Sequence, residues 1–500
     1  MILYYYKSYY IKVEKEGKNM LFTSPVFLLL FLPIMLGIYT LVPTRLKPSA
    51  ICIFSLTFYG IANFGNPASL LFLLLCAIFT YCATFAVFSV RKKYVMVFVV
   101  CVLVGVLAVL RYLGVWADVS AAARYIPIGA SFYLLACFSC IMDVRRGDAH
   151  MPRNFADVLI YVTYFPVMIA GPVIKYKNFE TLIKPENIRF TAAGVASGII
   201  LFARGFIKRI AIAALLEESY DSIVDRLLHY TEEPLSIGVA VILAAILLVS
   251  VYYAFSGYSD MGRGISAMLG IPLAPDFGAC ILSFTPADYA NNFLSSLTLW
   301  IDDYIRRPLS SLCAIEEKSG KSKKIWNTVI SLFCSLVLLL WFKIGIRVLP
   351  AIALLLVPTL LDCLLDVNRA LRKRKGLKPL GWIYTFSFVT LFWMLIKTRD
   401  LSSLEIIFGN MTLFKPMQSF LLNSTLLNLE ILIVLAIMAV VQLPVIFGIW
   451  SRRHQSPFVR NSAFLWVWSL LILVIFVLCI YYYLPQYPAL STMPFRDIIF

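Results

Sequence analysis

Apolar runs long enough to cross a lipid bilayer recur along the whole of this 500-residue chain, and no other feature restricts its fold as strongly. A helical span needs roughly 20 predominantly apolar residues. Leu21–Val42, Leu70–Val90, Tyr94–Leu113, Ile126–Met142, Gly194–Ala214, Ile237–Phe255, Val329–Phe342, Val348–Leu365, Trp382–Ile396, Leu427–Phe447 and Phe464–Leu484 reach or approach that length. Stretches 155–175 and 277–301 leave room for a few more, so the expectation is about 11–13 membrane helices. Hydrocarbon offers no partner to an open backbone amide, which makes an all-α integral membrane bundle the expected architecture. Charged residues are 14% of the chain, well below the roughly one quarter of a soluble domain.

A net charge of +17 could suggest a nucleic-acid partner, but the positions of the charges exclude it. Basic residues sit in short clusters between apolar runs: Arg91 to Lys93, Arg145-Arg146, Lys318 to Lys324, Arg369 to Lys378 and Arg452-Arg453. That is the positive-inside pattern, with these loops facing the cytoplasm of a multi-pass cell-membrane protein. The 11 cysteines are odd in number and lie mostly within apolar runs. Cys137 and Cys140 have a CxxC spacing inside a spanning segment, where packing explains them better than redox or metal chemistry. No metal and no resident cofactor are expected.

Residues 1–19 are lysine-rich and aromatic and have no signal-peptide organisation, whereas Met20-Leu21-Phe22-Thr23-Ser24-Pro25 reads as a natural membrane N-terminus. The expectation is a polar extension over 1–19, from a start placed too far upstream, before one transmembrane domain over 20–500. That domain divides into N-terminal helices (20–145), a signature-bearing core (146–312), a basic loop around 313–326 and C-terminal helices (327–484). The core concentrates polar residues: Tyr258, Ser259, Asp260, Asp288, Asn291, Asn292, Asp302 and Asp303. Polar side chains at membrane depth are expensive and mark a cavity or pathway, although interfacial loops would also hold them. Ala170-Gly171-Pro172 interrupts an apolar run, as where a helix breaks or re-enters.

Phe255-Ser256-Gly257-Tyr258-Ser259-Asp260-Met261, followed by Met268-Leu269-Gly270, resembles the signature of the membrane-bound O-acyltransferase (MBOAT) family. Its closest branch is the bacterial one that O-acetylates alginate and other surface polymers or D-alanylates teichoic acids. Further segments agree in order: Met20 to Pro25, Ile126 to Tyr133, Asp143-Val144, Tyr164-Phe165-Pro166, Ala170-Gly171-Pro172, Trp300, Asp303-Tyr304, Pro308-Leu309 and Leu401 to Leu404. The resemblance implies a ring of tilted helices around a central tunnel. An acyl donor, acetyl-CoA or an acyl carrier protein, enters from one side and a polysaccharide hydroxyl from the other. It also implies a histidine near the midplane that takes the hydroxyl proton, a task that suits neutral imidazole.

This chain departs from the pattern at the positions that would carry chemistry. The branch reads approximately Phe-Trp-Arg-Arg-Trp-His before the tryptophan matched by Trp300. Here the segment is Tyr289-Ala290-Asn291-Asn292-Phe293-Leu294, so Leu294 takes the histidine position and Asn291 and Asn292 take the arginine positions. The later Trp-His-Gly element aligns best with Trp341-Phe342-Lys343, and no histidine occurs between His229 and His454. Ala254 replaces an acidic residue, Asp302 an arginine and Lys175 an arginine. His150, His229 and His454 sit in polar segments and read as ordinary loop residues.

Three readings follow. The chain is a catalytically impaired family member that acts as a scaffold; or an active O-acyltransferase with Asp260, Asp288 or Asp303 as a substitute base, of which Asp260 and Asp303 match positions the branch keeps; or an acyl- or lipid-conducting membrane protein. Pro172, Lys175, Tyr258, Asp260, Asn291, Asn292, Trp300 and Asp303 are the expected tunnel or signature positions. The expected partners are the lipid bilayer and, by analogy with the branch, an extracytoplasmic acyl-transferring or esterase-like protein.

Overall fold

The computed structural model describes residues 20–64, 66–116, 127–229, 235–317, 319–342, 349–373, 375–397, 411–412, 433–442 and 462–486. Residues 1–19, Lys343, Leu401 to Leu404 and His454 lie outside the described residues. Helix dominates, beside a two-residue parallel pairing of Leu235–Ser236 with Met411–Thr412. Pro67–Val90, Lys93–Leu110, Ala240–Met268, Gly320–Phe342 and Lys378–Lys397 are long and apolar enough to cross a membrane. Shorter apolar helices accompany them at Phe27–Leu41, Leu349–Leu365, Ile433–Gln442 and Leu465–Tyr481. Large apolar side chains such as Leu41, Phe64, Trp466 and Leu470 face outward, the surface expected toward lipid. Inside, buried residues from Met20 to Cys479 form one contiguous core. The chain is an all-α, multi-pass membrane protein.

The structure departs from the sequence expectation in four places. Lys47–Ala62 is a helix of 16 residues, too short for a 20-residue criterion yet well buried. Stretch 277–301 does not span; it folds as two short helices, Pro286–Asn292 and Ser295–Ile301. The basic stretch 313–326 is a loop only as far as Gly320, where the Gly320–Phe342 helix begins. The run expected over Ile237–Phe255 continues as helix through the Phe255–Met261 signature to Met268, 32 residues in all.

Small residues explain that continuation. The Ile237–Met268 helix packs antiparallel against Ala192–Ile207 through two glycine pairs. A Cβ on Gly264 would lie 2.7 Å from the Gly198 carbonyl oxygen, and one on Gly257 would lie 2.8 Å from that of Gly205. Small-residue contacts of this kind let membrane helices approach backbone to backbone. The partner helix then passes into a π turn, Lys208–Ala213, before continuing as Ala214–His229. A second π turn, Asp302–Arg306, follows the Ser295–Ile301 helix.

The break at Ala170-Gly171-Pro172 is a re-entrant hairpin. The chain descends through Phe155–Thr163, turns over Phe165–Met168 and returns in extended form. Tyr161 Oη donates to the Ile174 carbonyl across the hairpin at 2.7 Å. Both limbs begin and end at the same side: Lys177 pairs with Asp148 at 3.5 Å, and His150 Nδ1 lies 2.8 Å from Glu180 Oε1. Gly262 on the long helix abuts Pro166 at the hairpin tip, and Tyr164 Oη meets Ser266 Oγ at 2.6 Å.

Candidate functional site

The glycine pairs place charge as well as backbone. Asp260 sits between Gly257 and Gly264, so the close approach delivers two cations from the facing helix to its carboxylate. Arg204 Nη2 lies 3.0 Å and Lys208 Nζ 2.6 Å from Asp260 Oδ2, while Arg263 Nη1 lies 2.9 Å from Oδ1. Asp260 and Lys208 are buried. Met268 ends its helix where Gly270 accepts from the Arg189 amide, beside the basic end of the bundle. Eight residues back, Asp260 is about 12 Å inside that end at the helical rise of about 1.5 Å per residue. Tyr258 points elsewhere, buried with its hydroxyl beside Thr23 and Arg209. Arg209 in turn pairs with Glu217 at 3.1 Å.

Asp303 forms a second cluster, at the basic edge. Lys175 Nζ bonds Asp303 Oδ2, Lys177 Nζ lies 3.7 Å from the same oxygen, and Arg307 Nη1 lies 2.7 Å from Oδ1. Burial alone would push this carboxyl up, but the Lys175 hydrogen bond and the charges of Lys175, Arg307 and Lys177 bring it below the usual carboxylate range. The hairpin's return limb supplies these lysines because it is pinned to the Ser295–Ile301 helix. Val173 N donates to Ser296 Oγ at 2.8 Å, and Lys175 Nζ donates to the Leu299 carbonyl at 3.0 Å. Trp300 lies buried against Phe138 and Tyr304, with ring centroids at 5.2 and 5.0 Å. Tyr304 Oη donates to Asp143 Oδ1 at 2.6 Å. Pro172 lines a cavity of about 20 Å³ with Phe132, Tyr133, Tyr161, Met168 and Phe179. That is room for about one water and not for an acyl chain.

Leu294 belongs to neither cluster. It is buried, caps the Ser295–Ile301 helix and holds a left-handed backbone, φ 52° and ψ 55°. The amides of the next two residues are anchored by Asp276: Ser295 N donates to its carbonyl at 2.9 Å and Ser296 N to its Oδ1 at 2.7 Å. Neither asparagine supplies charge. Asn291 is exposed, and Asn292 Nδ2 donates to the Asp288 carbonyl at 2.8 Å.

Aromatic rings from four segments pack together, and one of them, Phe293, directly precedes Leu294 in the chain. Phe293 lies 5.6 Å from Phe255 and 5.4 Å from Trp393. Phe342, within the Trp341-Phe342-Lys343 element, is 5.4 Å from Trp393 and 6.1 Å from Phe255. Trp393 Nε1 donates to Tyr289 Oη at 3.2 Å. Phe255 is thirteen residues before Met268, so this plug stands about 20 Å from the basic end, deeper than Asp260. Two histidines fall among the described residues. His150 is exposed on Glu180, and His229 ends a helix remote in sequence from the plug.

The structure therefore joins Pro172, Lys175, Trp300 and Asp303 in one neighbourhood and separates Asp260, Tyr258 and the Asn291–Leu294 segment from it. The sequence reading missed Arg204, Lys208 and Arg263 as Asp260 partners, and Trp393 as the hub of the plug. Two cations four residues apart inside an apolar run were the available signal for the first.

Comparison with known proteins agrees with this architecture. The chain is 29% identical to the probable alginate O-acetylase of Pseudomonas aeruginosa over 405 residues, covering 76% of this chain and 73% of the relative. It is 23% identical to the peptidoglycan O-acetyltransferase of Helicobacter pylori, over 56% of this chain and 55% of that protein. A teichoic acid D-alanyltransferase of Bacillus subtilis matches at 23%, over 36% of this chain and 44% of its own length. Residues 61–338, more than half of the sequence, match the family description directly, and the chain belongs to the membrane-bound O-acyltransferase (MBOAT) family.

Proposed function

We propose that this protein serves a cell-surface polysaccharide O-acylation system as a membrane scaffold and does not itself transfer the acyl group. The observation that carries the reading is the aromatic plug. Leu294 and Phe342 stand where the family resemblance puts histidines, and Phe342 packs with Phe255, Trp393 and, through Trp393, with Phe293, the residue before Leu294. Acyl transfer to a hydroxyl requires a group that accepts its proton as the oxygen attacks. Leucine and phenylalanine have no lone pair to offer.

The carboxylate alternatives fare poorly on geometry. Both Asp260 oxygens are already engaged by Arg204, Lys208 and Arg263, and both Asp303 oxygens by Lys175 and Arg307. The packed rings also weigh against an open acyl- or lipid-conducting path through the same place. A scaffold needs a partner that performs the transfer, and an extracytoplasmic acyl-transferring or esterase-like protein fits that role. A donor such as acetyl-CoA or an acyl carrier protein would then be used elsewhere.

The test is acyl transfer by the purified protein in nanodiscs, with radiolabelled acetyl-CoA and alginate oligosaccharides as acceptors. The expected result is no incorporation above protein-free nanodiscs. Incorporation that vanishes in Asp260→Asn or Asp303→Asn would establish a carboxylate-based enzyme instead. Incorporation that persists in both would also overturn the scaffold reading.

A further inference from the structure

The cation cluster around Asp260 carries more positive charge than its own residues compensate. Arg204, Lys208 and Arg263 bring three cations to one carboxylate. Among the described residues no other carboxylate forms an ion pair with any of them. Arg263 also feels Asp276 electrostatically, but that carboxylate forms no ion pair with it: its Oδ1 accepts from Ser296 N, and its buried Oδ2 has no hydrogen-bond partner. Even counting Asp276, the cluster keeps an excess positive charge inside a membrane-spanning helix pair.

Donors remain as well as charge. Arg204 Nε is buried and has no hydrogen-bond partner. Lys208 uses one of its three N–H groups on Asp260, and Arg263 spends Nε on the Leu273 carbonyl at 3.3 Å. Arg204 and Arg263 are the partly exposed members, at 21% and 13%, so the cluster opens on their side. Excess charge at membrane depth is retained where it faces a ligand or pathway, and guanidinium groups match tetrahedral oxyanions with paired donors.

We infer that Arg204, Lys208 and Arg263 form a binding site for one phosphate-class oxyanion, about 12 Å inside the basic end and short of the aromatic plug. Asp260 holds the three cations together and competes with the ligand for them. The oxyanion is borne either by a lipid head group or by a soluble phosphate compound. The site stands whether or not the protein transfers acyl groups, since none of its residues touches the plug.

The experiment is a thermal-unfolding titration of the full-length protein. One arm adds inorganic phosphate or coenzyme A to protein in a neutral, phosphate-free detergent. The other compares nanodiscs of phosphatidylglycerol with nanodiscs of phosphatidylcholine. Ligand that binds only the folded state raises Tm with concentration. Wild type should respond in at least one arm, and which arm responds identifies the source. Arg204→Gln, altered at a partly exposed position, should weaken the response by roughly tenfold or more. Asp260→Asn, if it folds, should strengthen it; if it does not fold, Arg204→Gln alone decides. No response in either arm, or an equal response in wild type and Arg204→Gln, overturns the inference.

Discussion

Gly205→Ala tests the helix pairing on which the charge placement depends. The added Cβ would lie 2.6 Å from both the Gly257 carbonyl oxygen and the Met261 amide nitrogen, and 2.9 Å from Met261 Cγ. Ordinary contact begins near 3.4 Å, so two helical backbones must separate by about 0.8 Å. A flexible side chain could yield; a backbone carbonyl inside a helix cannot do so alone. Overpacking of this kind costs about 1–3 kcal/mol. Alanine recovers up to about 1 kcal/mol through helix propensity, leaving a net loss of about 0–2 kcal/mol where that recovery is complete. Gly60→Ala is the internal control, because its added Cβ meets nothing within 4 Å. It should be neutral or slightly stabilising. Reversible unfolding in mixed micelles, followed by tryptophan fluorescence, compares the two. Equal stabilities for Gly205→Ala and Gly60→Ala would refute the close-contact argument.

Three further outcomes are expected. Asp303 has a depressed carboxyl pKa in the folded protein, so its contribution is full above the unfolded value of about 3.9 and is lost as pH falls through the folded value. Tm measured from pH 6 down to pH 3 should drop, and Asp303→Asn should flatten that dependence. Leu294→His should restore no acyl transfer in the nanodisc assay, because Phe342 and the surrounding rings remain in place; measurable transfer would show that a single residue silences the site. Trp393→Phe keeps ring packing but removes the hydrogen bond to Tyr289, and unfolding should register a loss of about 1 kcal/mol.

The membrane architecture was legible because hydropathy acts locally and span by span. Most expected spans reappear as helices with shifted ends, and the Pro172 break reappears as a re-entrant hairpin. Lys47–Ala62 escaped notice because helix burial, not length, keeps it in place. The 277–301 stretch is apolar enough to suggest a span, but Pro286, Asp276 and the left-handed Leu294 divide it. The Asp260 cluster was invisible for a different reason. Its partners lie more than fifty residues away at Arg204 and Lys208, and only the glycine-lined crossing brings them together. The plug likewise draws on segments around 255, 293, 342 and 393, none of which is unusual alone. The resemblance implied a histidine at the position of Leu294; the structure shows the rings that gather around Trp393 close by in the chain.

The π turn at Lys208–Ala213 gives the bundle one place where chain length can change without loss of helix phase. A π turn holds about one residue more per turn than an α turn, so it behaves as a stored insertion. Removing a single residue such as Ile212 would let the segment relax to α-helix while leaving the sequence on either side untouched. Everything after it would keep its orientation relative to everything before, whereas the same deletion within a regular α-helix would rotate the downstream part by about 100°. Glu217 would stay on the side of Arg209, and the apolar stripe of Ala214–His229 would keep its neighbours. A one-residue deletion in the turn would therefore be absorbed, while one inside Ala214–His229 would act as a phase error on everything downstream.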